Sequence, residues 1–201
     1  MILLCGRTAS GKNTIRDEIV KLGVKPIVTY TTRPMRKGEI DGVTYHFITN
    51  DDFLGKESEG FFAETTSYNV ATGDIWHYGT AKEDLSGGRV LIVNPDGLKA
   101  IKDMKDIKTT SFLIYADEET IWNRLMQRGD SEKEAKRRLQ ADNEDFKDIN
   151  DYIDFFIRNE DCDPKEVANL IIYLIEINNR GGEFQHELHW YKPFIGKRIK
   201  E

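Results

Sequence analysis

Cysteine is scarce in this chain of 201 residues: Cys5 and Cys162 are the only two, far apart and outside any Cys-x-x-Cys pair. Reduced thiols are therefore expected, and a disulfide framework is not. No segment approaches the ~18 consecutive apolar residues of a membrane-spanning helix. The opening run Met1 to Cys5 is too short for a signal peptide and leads straight into a glycine loop, so the expectation is a cytoplasmic protein with no membrane partner. Basic charge is not in excess either. A formal net charge of −6 argues against nucleic acid as a general partner, while leaving room for a local basic pocket. Internal repeats and low-complexity stretches are missing. What is present, 39% apolar and 32% charged residues, suits a globular enzyme of one domain with a small inserted lobe.

Short β-branched runs alternate with helical stretches, the pattern of βαβ units around a mainly parallel sheet, so the fold class is α/β. Met1 to Cys5 reads as a buried strand, Gly6 to Lys12 as a loop, and Asn13 to Leu22 as a helix closed by Gly23. Lys25 to Tyr30 reads as a second strand. From Arg33 to about Gly79 the pattern shifts to short strands with turn signals and one brief acidic helix from near Asn50, which marks an inserted lobe. Val90 to Asn94 and Thr109 to Tyr115 return to core strands, with helices starting at Asp96 and Asp117. Ser131 to Asp148 is a charged helix behind Arg128-Gly129-Asp130, a plausible hinge. Tyr152 to Ile157 reads as the last strand and Pro164 to Ile177 as the last helix. The expected division is a core of 1–32, 88–120 and 150–177, an inserted lobe of 33–80, a lid of 121–149 and a tail of 178–201.

Gly6-Arg7-Thr8-Ala9-Ser10-Gly11-Lys12 has the Gly-x4-Gly-Lys spacing, and lies between an expected strand and an expected helix. Glycines let backbone amides curl around phosphate oxygens, and the helix presents its positive end. Lys12 adds a compact charge for the β and γ phosphates of a nucleotide. Gly6, Ala9, Ser10, Gly11, Lys12, Asn13 and Thr14 are the candidate ATP-binding residues. Asn13 stands where Ser or Thr normally places a hydroxyl on Mg²⁺, so the metal is expected to arrive with ATP and to be held through phosphates and water, with Asn13 its one candidate protein ligand.

Thr29-Tyr30-Thr31-Thr32-Arg33-Pro34-Met35-Arg36-Lys37-Gly38-Glu39, followed by Gly42, Tyr45 and Phe47, sets two arginines beside a glycine turn. Paired guanidinium forks suit a dianionic phosphate, and tyrosine hydroxyls can complete its shell. On these residues the chain resembles the guanylate kinases, with the proline displaced to follow Arg33. The resemblance spans most of 1–177, and implies a P-loop kinase fold with an inserted mixed β substrate lobe and a helical lid. It also implies transfer of the ATP γ-phosphate to GMP or dGMP with Mg²⁺. By similarity Arg33, Arg36, Tyr45 and Tyr78 bind the acceptor phosphate. Phe62-Ala63-Glu64 and Tyr78-Gly79-Thr80 match the segments around the base. Guanine offers N1–H and its 2-amino group side by side, and Glu64 can accept both; Thr80 can donate to O6, and Thr29 and Asn94 border the same pocket. Adenine would leave that carboxylate unpaired, a difference worth several kcal/mol.

Arg124 and Arg128 fall on one helix face, and Arg138 follows in the charged segment. In the family's lid such arginines embrace the transferring phosphoryl group, so with Lys12 they are the candidate catalytic residues. By similarity Asn159, which sits where the family commonly has an asparagine near the donor adenine, is a further candidate ATP-binding residue. The resemblance weakens at Ile92 and Asn94, where the family usually carries aspartates, and the segment from Thr65 to His77 is longer than is usual. His46 and His77 read as strand packing, and His186 and His189 as surface residues. Two alternatives stay open: a kinase for another nucleoside monophosphate, and a non-catalytic guanylate-kinase-like binding module. Monomer and homodimer are both compatible with the sequence.

Overall fold

The computed structural model describes residues 1–36, 38–69, 73–160 and 162–180. Lys37, residues 70–72, His186, His189 and the tail beyond Arg180 lie outside these. In chain order the elements begin with β1 (Ile2–Cys5), α1 (Lys12–Lys21), β2 (Lys25–Pro26), β3 (Tyr30–Thr31), β4 (His46–Phe47) and α2 (Asn50–Ser58). They continue with β5 (Phe62–Asn69), β6 (Ile75–Ala81), β7 (Arg89–Ile92), α3 (Pro95–Lys102) and β8 (Thr110–Tyr115). The last are α4 (Glu118–Gln127), α5 (Glu132–Asp145), β9 (Phe155–Arg158) and α6 (Pro164–Arg180), with single 3₁₀ turns at Lys82–Asp84 and Asn150–Tyr152.

The chain is α/β. Five strands form a parallel sheet in the order β2-β7-β1-β8-β9. A parallel sheet is buried on both faces, which is why β1 and β8 read as continuous apolar runs. Alternate side chains of β1 feed two cores. Ile2 and Leu4 join Ile15 and Ile19 of α1 and Leu170, Ile171 and Leu174 of α6 on one face. Leu3 and Cys5 join Leu98 and Ile101 of α3 and Ile149, Ile153 and Phe156 on the other. Burial pushes the Cys5 thiol up to about 12, so it packs as an inert apolar group.

A second, four-stranded sheet has the order β4-β3-β6-β5, with β3 parallel to β4 and antiparallel to β6. The run read as one strand from Lys25 to Tyr30 is divided between the sheets: Lys25 and Pro26 pair with β7, Tyr30 and Thr31 with β4 and β6. The β7 strand stops at Ile92 because Asn94 caps α3, its side chain accepting from the Gly97 amide. The last strand starts at Phe155, after a 3₁₀ turn, and the last helix runs on through Arg180. His46 stacks on Tyr30 and His77 on Phe53, both as strand packing. Among the described residues no helix is long and apolar enough to cross a membrane.

Candidate active site

The loop after β1 is shaped by what surrounds it. Gly6 and Gly11 have φ of 155° and 97°, and a Cβ at either would collide, at Gly6 with the Ile114 carbonyl oxygen (2.1 Å) and at Gly11 with Asn159 Nδ2 (2.2 Å). Ala9 also takes a positive φ of 52°, held by packing against Ile121 and Leu125 of α4 and Ala135 of α5. Lys12 turns back over the loop and donates to the carbonyls of Gly6 (2.6 Å) and Arg7 (2.7 Å). A little of the side chain reaches solvent, yet burial lowers the ammonium to about 8; Cys5 and Asp142 oppose the shift and Arg128 adds to it.

Two of the sequence candidates, Asn159 and Arg124, also brace this loop. Asn159 is buried and donates through Nδ2 to the Ser10 carbonyl (2.7 Å). Arg124 donates to the carbonyls of Asn159 (2.8 Å) and Ala9 (3.3 Å). Arg128 ends α4 on the surface ahead of Gly129, whose φ is 82°. Arg138 reaches Glu134 (2.8 Å) and Asp130 (3.4 Å) and lines the cleft over the loop. Asn13 and Thr14 are exposed at the start of α1.

That cleft, about 660 Å³, is lined by Gly6, Thr8 and Lys12 of the loop, by Thr29, Arg36, Tyr45, Glu64, Tyr78 and Asn94, and by Arg138 and Asp142 of α5. Nine of the sequence candidates, Gly6, Lys12, Thr29, Arg36, Tyr45, Glu64, Tyr78, Asn94 and Arg138, thus line one cleft. Arg33 is different. It is buried, forms a bidentate pair with Glu39 (2.7 and 3.0 Å), and lies 5.4 Å from the Tyr45 ring centroid. Burial is the largest influence and opposes the charge, but the bond and charge of Glu39 together with Tyr78 outweigh it and Arg33 stays above its ordinary value; the Arg33 bond in turn lowers Glu39. Glu39 also accepts from the Arg36 amide (2.6 Å), so this one carboxylate sets the geometry of both arginines.

At the far end, a β-bulge between Phe62 and Glu64 breaks the alternation that would put these two side chains on one face. Phe62 stacks on Phe53 of α2 (4.5 Å), while Glu64 points into the cleft opposite Thr80 and accepts its hydroxyl at 2.5 Å. Glu64 Oε2 occupies the space beside Gly97, 2.9 Å from where a Cβ would sit, at the amino end of α3. Burial raises the Glu64 carboxyl and the Thr80 bond holds it back in part. Asn94 Oδ1 accepts from the Gly97 amide (2.8 Å), and its Nδ2 donates to Thr66 Oγ1 (2.9 Å) and Tyr68 Oη (3.0 Å).

Several cleft residues carry no local motif. Asp142 accepts from the Thr8 amide of the loop (2.7 Å), and burial raises its carboxyl against the pull of that bond and of Lys12. Its place one turn after Arg138 on the same helix face was the available signal. Thr66 and Tyr68 follow Glu64 at the two-residue period of a strand, and that alternation could have named them.

The arrangement is a phosphate cradle, a cationic middle and a carboxylate-bearing end in one cleft. A family model described as guanylate kinase matches residues 1–172. A guanylate kinase of Clostridioides difficile (strain 630) is 34% identical, covering 100% of this chain and 96% of that protein. One of Syntrophus aciditrophicus (strain SB) is 29% identical, with 87% and 86% covered. The crystal structure of guanylate kinase from Anaplasma phagocytophilum superposes with a TM-score of 0.62 over 89% of this chain and 85% of that one, at 22% identity, a likeness of fold. On a match of this extent the chain belongs to the guanylate kinase family of nucleoside monophosphate kinases.

Proposed function

We propose that this protein transfers the γ-phosphate of ATP to GMP or dGMP in the cytoplasm, giving ADP and GDP or dGDP. The observation that carries the reading is a single cleft that joins Lys12 and the phosphate loop to a buried carboxylate, Glu64, by way of Arg36, Tyr45 and Tyr78. An oxygen of the acceptor phosphate attacks the γ-phosphorus, and the bond to the ADP oxygen breaks. No protein nucleophile is needed, so catalysis is placement and charge.

The loop amides, the positive end of α1 and Lys12 hold the β and γ phosphates, and phosphate returns Lys12 to a full charge. Arg36, Tyr45 and Tyr78 take the acceptor phosphate, with Arg33 fixing that wall through Glu39. Glu64 accepts guanine N1–H and the 2-amino group, and Thr29 and Thr80 border O6. Arg128 and Arg138, on the lid helices α4 and α5, close on the phosphoryl group and exclude water; Arg124 and Asn159 keep the loop in shape. Mg²⁺ arriving with ATP would supply charge neutralisation at the phosphates. The donor set fits a metal held mainly by phosphate and water, with exposed Asn13 at the start of α1 as its candidate protein ligand.

The test is a coupled ADP-release assay with Mg²⁺ and GMP, dGMP, AMP, CMP, UMP and dTMP, with Lys12→Ala as blank. Turnover confined to GMP and dGMP is the expected result. Turnover with another acceptor would keep the kinase and discard the role of Glu64. GMP binding without turnover on any acceptor would favour a binding module.

A further inference from the structure

The base end of the cleft holds more hydrogen-bonding groups than the family resemblance assigns. Glu64, Thr66 and Tyr68 stand at alternate positions of β5, so their side chains share one face, and all three line the cleft. Asn94 fixes the two hydroxyls. A backbone N–H can only donate, so the atom facing the Gly97 amide must be Oδ1, and the orientation of the Asn94 amide is settled. Both Nδ2 hydrogens then go to Thr66 Oγ1 and Tyr68 Oη, which serve as acceptors there. Their own hydrogens must point elsewhere, and the cleft lies beside them. Tyr68 is held further by its ring, edge-on to Tyr78 at 5.7 Å.

Building on the guanylate reading, we propose that the Thr66 and Tyr68 hydroxyls, aligned by Asn94, are specificity-determining donors for the acceptor's purine. Next to the carboxylate of Glu64 they form a wall with one acceptor followed by two donors. Guanine complements that order: the N1–H and 2-amino donors meet Glu64, and N3, beside the 2-amino group, is the acceptor that follows. Asn94 is a positioning residue in this scheme, because its amide is already satisfied by protein. The assignment also accounts for a guanylate cleft without a carboxylate at position 94, since the pocket is lined by oriented hydroxyls there.

A binding cycle tests it. Affinities of the wild type and of Thr66→Val/Tyr68→Phe are measured by calorimetry for GMP and for 3-deazaguanosine monophosphate, which lacks the N3 acceptor, with ATP binding as a check on folding. The wild type is expected to bind GMP about tenfold more tightly than the analogue, the worth of one well-placed hydrogen bond. In the double variant that preference should vanish, while ATP affinity is unchanged. A preference that survives in the double variant would overturn the proposal alone. Failure of the wild type to bind GMP at all would overturn the guanylate reading with it.

Discussion

Lys12 and Glu64 are both ionisable groups whose environment disfavours their charge, and both charges are the ones the proposed reaction uses. Free Lys12 sits at about 8, below its ordinary 10.5. A lowered lysine pKa means that the charged form costs folding stability at all pH below about 8, and that the cost fades as pH rises from there toward 10.5. Lys12→Met should therefore raise the melting temperature of the ligand-free protein at neutral pH, by an amount that shrinks in alkaline solution, while turnover falls by about 1000-fold. Thermal denaturation at both pH values, alongside the coupled assay, checks this. The Glu64 carboxyl is raised by burial, so its ionised form is the costly one and its stability contribution falls as pH rises. Glu64→Gln should be more stable than the wild type at neutral pH, with the gap closing in acid. GMP binding by the wild type should weaken as pH drops through a value above that of an ordinary carboxylate. In Glu64→Gln, binding should be weak and flat with pH.

Elements explain how side chains that resemble the family's ligand contacts also hold the phosphate loop. The phosphate loop is a strained turn held from outside, by Asn159 at the end of β9, by Arg124 on α4 and by packing of α4 and α5 on Ala9. Asn159→Ala leaves the buried Ser10 carbonyl without its donor, which costs about 1–3 kcal/mol. The expected result is a lower melting temperature and a higher KM for ATP, with GMP affinity retained; equal loss for both substrates would contradict a brace confined to the loop. The strand–loop–helix of residues 1–21 was legible in sequence because its determinants are local: apolar run, glycine spacing, lysine, amphipathic helix. The run from Lys25 to Tyr30 was not, since β propensity is the same whichever sheet a residue joins, and here the chain crosses from one to the other. Asn94 was legible as a cleft residue but not in its bonding, because Thr66 and Tyr68 are supplied by a strand, 28 and 26 residues earlier respectively. The Arg33–Glu39 pair lay inside the quoted motif, yet spacing alone could not show that Arg33 is buried and Arg36 faces the cleft.

At the scale of the molecule, neither sheet forms the cleft alone. Its walls come from the loop of the parallel sheet, the face of the mixed sheet and the α5 helix, so a bound nucleotide ties separate segments together. Ligands that bind only the folded state stabilise it, by about 2.7 kcal/mol at 100 times Kd. ATP and GMP are each expected to raise the melting temperature, and a non-hydrolysable ATP analogue with GMP should raise it further than either ligand does; AMP in place of GMP should add little. The central claim, that a phosphate-loop kinase reads guanine through Glu64, is tested most directly by kcat/KM for GMP, inosine monophosphate and AMP with saturating ATP. Inosine monophosphate keeps N1–H but lacks the 2-amino group, and AMP presents neither donor in that arrangement. The expected order is GMP first, inosine monophosphate lower by about tenfold or more, and AMP lower by at least about 1000-fold, with Glu64→Gln flattening the series. Equal efficiency with AMP, or an unchanged series in Glu64→Gln, would contradict it.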